Sequence, residues 1–152
     1  MAARVRVLGL GNELLADDAV GILAARKVAE RCPPEEVEVI ASSESGLYLL
    51  EYVTDVARLI VIDSVQTGRT APGTIHVVCE ENVRAAPGST PHGTGLFDAL
   101  ALARKLGYNV PKEVIILAVE AADCLTIGGE MHPGVAAAIP ELVERVVRMS
   151  VN

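Results

Sequence analysis

Aromatic residues are nearly missing from this chain. They fill 3% of 152 positions, and tryptophan is absent, although hydrophobic residues make up 51%. A core with so few rings must be aliphatic, which suits a parallel sheet covered by helices, because buried central strands read as near-continuous Val/Ile/Leu runs. Basic residues are scarce too: 13 Lys and Arg stand against 20 Asp and Glu, for a net charge of -7. Without a Lys/Arg cluster that balance argues against a nucleic-acid partner, since phosphate binding needs a basic stripe. No hydrophobic run reaches the roughly 20 residues a membrane-spanning helix needs, and no signal-peptide pattern opens the chain, so the expectation is a cytoplasmic protein without a membrane partner. Cysteine is limited to Cys32, Cys79 and Cys124. Their odd number, wide separation and lack of a CxxC argue for reduced thiols acting as small core residues. There is no internal repeat, low-complexity tract or linker, and residues 1–152 read as a single domain.

What is present is an alternation of strands and helices. Arg4 to Leu10, Val37 to Ala41, Arg58 to Ser64, Thr74 to Cys79 and Glu113 to Val119 are short β-branched or aliphatic runs with turn residues near their ends. Helical patterns cover Asp18 to Arg31, where Lys27 interrupts the apolar stripe, and Gly95 to Leu106, where Leu96, Ala99, Leu100, Ala103 and Leu106 share a face. A third stripe, Ile139, Leu142, Val143 and Val146, lies near Pro140, which should kink that helix or begin it. A shorter helix is expected around Leu47 to Val53. Helices serving as crossovers predict a three-layer α/β/α sandwich. The connection VQTGRTAPG has no room for a crossover helix, so the fourth strand should run antiparallel to the third in a mostly parallel, mixed sheet.

Ligands in such sheets sit at the carboxyl ends of strands, where the strand order reverses. Asp63 closes the apolar run RLIVIDS, and Asn12, Asp17 and Asp18 follow the first strand. If the first and third strands are neighbours, these acids converge. A nucleotide is a poor occupant. The stretch has Gly9 and Gly11 but Leu14 at the third glycine position of a dinucleotide fingerprint, its acids would repel phosphate, and no GxxxxGK[ST] loop occurs. A cation fits better, although an Asp in a first helical turn also serves as a cap or complements the helix dipole, a role that suits Asp17. His92 lies in a loop before a helix, whereas His76 falls inside a strand pattern and is expected to be without consequence. Two carboxylates with one imidazole at element ends suit a divalent transition metal.

These residues carry a family resemblance. GLGNELLADDAVG is similar to the GxGNxLxxD[DE]xxG opening of the hydrogenase maturation proteases, VIDSVQTG to their second block, and PHGTGLFDAL to their histidine-containing block. VEAADCLTIGGEMHPGVAAAIPELVERV resembles their closing segment, so the likeness spans nearly the whole chain. The resemblance implies a phosphorylase/hydrolase-like three-layer fold with a five-stranded mixed sheet. It also implies an endopeptidase that trims the C-terminal extension of a nickel-iron hydrogenase large-subunit precursor, activating that enzyme after nickel insertion.

The family's metal-binding positions fall on Asp18, Asp63 and His92. Asp17 matches the preceding acid, read here as helix-capping, and His132 is expected merely to flank the last helix. The resemblance implies that the nickel belongs to the substrate precursor, with zinc or cadmium expected to take its place in vitro, and three ligands would leave coordination positions open for a metal already held by substrate thiolates. With no GxSxG elbow, and with the cysteines not placed as nucleophiles, Asp18 and Asp63 are the candidates for activating water, directly or through a metal. Two other readings stay open: a non-catalytic nickel-dependent assembly chaperone, and a peptidyl-tRNA hydrolase-like enzyme, which shares the look of GLGN but needs a basic surface.

Overall fold

A computed structural model of the chain describes residues 5–79 and 93–151. Five strands, β1 (Val5–Leu10), β2 (Val37–Ser42), β3 (Arg58–Val65), β4 (Ile75–Cys79) and β5 (Glu113–Glu120), form one sheet in the order β2-β1-β3-β5-β4. The three inner strands are the most hydrophobic runs, and β1 is buried along its whole length. β1, β2, β3 and β5 pair in parallel, while β4 pairs antiparallel with β5. The helix-free connection after β3 thus returns the chain as its length requires. β1 and β3 are direct neighbours, and the chain moves outward from β1 in both directions, so the reversal of strand order lies between them.

Helices α1 (Val20–Arg31) and α3 (Pro133–Ser150) pack on one face of the sheet; α2 (Gly93–Lys105) and a 3-10 helix over Gly46–Val53 cover the other. Both layers are aliphatic. Ile60 and Ile62 of β3 point to the α1/α3 core, and Leu59, Val61 and Val65 to the α2 core. A buried Arg6 ties the α2 side to the edge of the sheet, donating to Glu38 and to the carbonyls of Tyr52 and Thr54.

Several local expectations are corrected. Asp18 lies in a 3-10 turn, Ala16–Ala19, that precedes α1, and Lys27 is exposed, so it leaves the α1 stripe intact. Leu106 follows α2 and is 55% exposed. Leu47 to Val53 is 3-10, not α, helix. Pro140 neither begins nor precedes α3: the helix starts at Pro133, where a proline loses no bond because first-turn N–H groups have no helical partner, and Pro140 lies inside it.

Candidate active site

Glycine packing brings the start of α1 down onto the sheet. A Cβ on Gly21 would stand 2.2 Å from the Leu10 carbonyl oxygen and 2.6 Å from that of Ile62, and one on Gly11 would stand 2.1 Å from the Asp18 carbonyl oxygen. Only glycine permits this approach, so these residues close helix against strand. The Asn12 N–H donates to the Asp18 carbonyl, and the Asn12 side chain accepts from the Leu14 N–H. Ala16, just before the acids, has a φ of 42°. That left-handed conformation costs a residue bearing a Cβ roughly 1–2 kcal/mol, and the Leu15–Ile127 bridge beside it helps hold the turn.

The result is a group of buried acids at the carboxyl ends of β1 and β3. Asp17, Asp18 and Asp63 are 1%, 3% and 1% exposed. Ser64 links two of them: its hydroxyl donates to Asp18 Oδ1 at 2.7 Å and its N–H to Asp63 Oδ1 at 2.8 Å. Asp63 shares the strand parity of Leu59 and Val61, so it belongs to the α2 side of the sheet. Asp18 and Asp63 are thus linked through Ser64, whose side chain has the opposite strand parity. His92 lies outside the described residues; it precedes α2 in the sequence. Among the described residues no group of three His, Cys, Asp or Glu side chains is arranged to hold a metal ion.

Asp17 does something other than cap a helix. Neither the 3-10 turn nor α1 has a side-chain cap bond at its start. Asp17 Oδ2 instead accepts from the N–H groups of Ala122 and Asp123 at 2.8 and 2.9 Å, and Oδ1 from the His132 N–H at 2.7 Å. One carboxylate thus fastens the whole β5-to-α3 connection to the site. His132 flanks α3 as expected, its Nδ1 accepting from the Gly134 N–H as the helix cap.

That connection carries Cys124, whose place beside the acids the sequence pattern does not reveal. Its sulfur lies 3.5 Å from Ser64 Oγ. Burial pushes the thiol pKa up to about 11, with the Ser64 hydrogen bond opposing and the charges of Asp18, Asp17 and Asp63 adding to the rise. A thiol protonated at neutral pH is not an activated nucleophile. Ser64 is fully buried, and its hydroxyl is engaged with Asp18. Of the other cysteines Cys32 is buried and Cys79 is exposed, so the expectation of core thiols fails for Cys79.

A further buried acid lies at the end of β5. Glu120, 1% exposed, ends β5 as Asp63 nearly ends β3; an acid closing an apolar strand is the signal that could have found it. Burial disfavours its ionised form, but bonds from the Thr67 and Thr70 hydroxyls and from the Thr67 and Gly68 N–H groups outweigh that, holding its pKa below the ordinary glutamate value. His76 borders the group, its Nε2 3.3 Å from Glu120 Oε1.

The chain matches a known group of proteins. The family model described as hydrogenase maturation protease matches residues 22–149. The chain is 34% identical over 149 residues to the hydrogenase expression/formation protein HupD of Rhodobacter capsulatus, covering 95% of this chain and 70% of that protein. It is 30% identical to the hydrogenase 2 maturation protease of Escherichia coli, covering 93% and 84%. Among solved structures, the hydrogenase maturating endopeptidase HybD from E. coli superposes with a TM-score of 0.82 at 31% identity, covering 96% of this chain and 91% of that one. HybD from Thermococcus kodakarensis gives a TM-score of 0.75 at 25% identity, covering 97% and 99%.

Proposed function

The chain belongs to the hydrogenase maturation protease family, and we propose that it is the endopeptidase that removes the C-terminal extension of a nickel-iron hydrogenase large-subunit precursor after nickel insertion. Asp18, Asp63 and His92 engage the nickel that the precursor carries. The observation that supports this most is the pair Asp18 and Asp63, one in the turn before α1 and one near the end of β3, both buried and joined through one serine. Ionised carboxylates crowded in a low-dielectric site repel one another, and an incoming cation relieves that repulsion. His92, preceding the helix that covers the Asp63 face, supplies the softer ligand that favours nickel over magnesium or calcium. Cargo metal is then a recognition element.

Chemistry falls to the same acids. With Cys124 protonated and Ser64 enclosed, a carboxylate of Asp18 or Asp63 takes a proton from water, the water oxygen attacks the scissile carbonyl carbon, and the proton passes to the departing amine as the C–N bond breaks. A polypeptide substrate also needs a surface. Leu14, Leu125 and Ile127 are 64%, 82% and 80% exposed on the two segments that carry the acids and Cys124, held together by the Leu15–Ile127 bridge and the Gly128 N–H to Leu14 carbonyl bond. Exposed apolar patches with polar surroundings are typical of such docking faces.

The test is a mass-spectrometric time course on nickel-loaded and nickel-free precursor with wild type, Asp18→Ala, Asp63→Ala and His92→Ala. Wild type should cut only the loaded form, and each variant should lose at least a hundredfold, about 2.8 kcal/mol of recognition. Binding of loaded precursor without any cleavage would make the protein an assembly chaperone. Efficient cutting of nickel-free precursor would show that these side chains do not read the metal.

A further inference from the structure

We propose that Glu120 is a positioning residue: its buried carboxylate holds the loop at residues 66–70 beside the acid pair, so that the exposed face of that loop contacts the polypeptide substrate. The loop leaves β3 just after Asp63 and Ser64 and has no secondary structure of its own. Its donors turn inward. Thr67 N–H reaches Glu120 Oε2 at 2.9 Å and Gly68 N–H at 3.4 Å, Thr70 Oγ1 reaches Oε1 at 2.9 Å, and the Thr67 hydroxyl makes a further short bond to Oε1. Thr67 Oγ1 in turn accepts from the Arg69 N–H. A carboxylate is the one side chain that accepts all of these at once, because it offers about four lone-pair directions and no donor.

The sheet does not need this arrangement. β4 is paired to β5 through its own backbone from Ile75 to Cys79, and Gln66, Gly68, Arg69 and Thr70 are exposed, adding nothing to either core. Burying a carboxylate carries a desolvation penalty that its bonds must offset. What it secures here is the conformation of an exposed segment. That segment adjoins the site: Gln66 donates to the Ala122 carbonyl at 3.0 Å, and Ala122 donates to Asp17. Precursor approaching Asp18 and Asp63 therefore meets a loop whose shape Glu120 sets. The substrate contact rests on the reading above; the anchoring does not.

Two measurements separate them. In the free protein, amide exchange at Thr67 and Gly68 should speed up at least tenfold in Glu120→Gln, whose amide nitrogen faces the loop donors, while exchange in β3 and β5 stays at wild-type rates. Thr70→Val should speed the same amides by a smaller factor, and Thr70→Ser, which keeps the hydroxyl, should match wild type. On nickel-loaded precursor, KM should rise about tenfold in Glu120→Gln and severalfold in Thr70→Val with kcat within twofold, and Thr70→Ser should again restore wild-type values. Unchanged exchange in Thr70→Val and Glu120→Gln overturns the anchoring. Faster exchange with unchanged KM, or a lost kcat at constant KM, overturns the substrate contact. Wild type that cuts no precursor overturns the functional reading and that contact with it, while exchange still decides the anchoring.

Discussion

Asp17 and Asp18 are adjacent and chemically identical, yet their surroundings assign them opposite work. Asp17 spends its oxygens on three backbone N–H groups, two from the segment after β5 and one at the threshold of α3. Asp18 is bonded to a serine hydroxyl beside a second acid. A buried N–H left without its acceptor costs about 1–3 kcal/mol, so Asp17→Ala should lower unfolding stability by roughly 3 kcal/mol or more, read from the urea midpoint at constant m-value. Asp18→Ala strands the Ser64 hydroxyl but also removes the repulsion of a neighbouring acid, so it should cost less stability than Asp17→Ala while weakening binding of nickel, zinc or cadmium in a calorimetric titration. Equal stability losses at the two positions would sink this division of labour. The sequence shows the pair and its place after a strand, but not which acid does which. Local rules offer capping as the default for Asp17, whereas its real partners lie more than a hundred residues further along the chain, beyond the reach of any pattern.

At the scale of elements, hydrophobic period reveals what burial enforces and little else. The five strands and the antiparallel turn of β4 are legible because inner strands must be apolar and a short connection cannot cross over. Helix ends are less so. The stripe Ile139, Leu142, Val143 and Val146 marks the buried face of α3, but Pro140 disguises the helix start, which is set by the His132 cap and Pro133. Pro140 lies on the exposed side and cannot donate to the Ala136 carbonyl one turn back. Pro is about 3 kcal/mol worse than Ala inside a helix. Pro140→Ala should therefore stabilise the protein by about 1–3 kcal/mol, a rise in Tm of roughly 2–12 °C for a chain of this size. A lower Tm would mean that α3 depends on the proline at this position.

Across the whole molecule, buried groups with shifted titration bound the pH range of stability from opposite ends, Glu120 at the acid end and the thiols Cys124 and Cys32 at the alkaline end. Glu120 ionises in the folded state below the ordinary ~4.3 of an unfolded glutamate. Its contribution is fully present above that value and is lost as pH falls through the lower, folded-state one. Cys124 works at the alkaline end with the other sign. An unfolded thiol releases its proton near ~8.5, whereas the folded protein keeps it up to about 11. Between those values the unfolded state binds fewer protons, so stability falls as pH rises, by at most about 1.4 kcal/mol per pH unit and about 3 kcal/mol in all. Burial shifts Cys32 in the same direction, so some alkaline loss should survive without Cys124. Comparing urea midpoints of wild type and Cys124→Ala from pH 7 to 11 isolates the thiol from the lysines and tyrosines that titrate in both. The variant should lose less stability than wild type over the upper part of that range, and at pH 7 it should still process precursor, because a protonated thiol takes no part in the cut. Parallel curves would show that Cys124 ionises no later when folded than when unfolded. A variant inactive at pH 7 though fully folded would return the sulfur to the list of candidate nucleophiles.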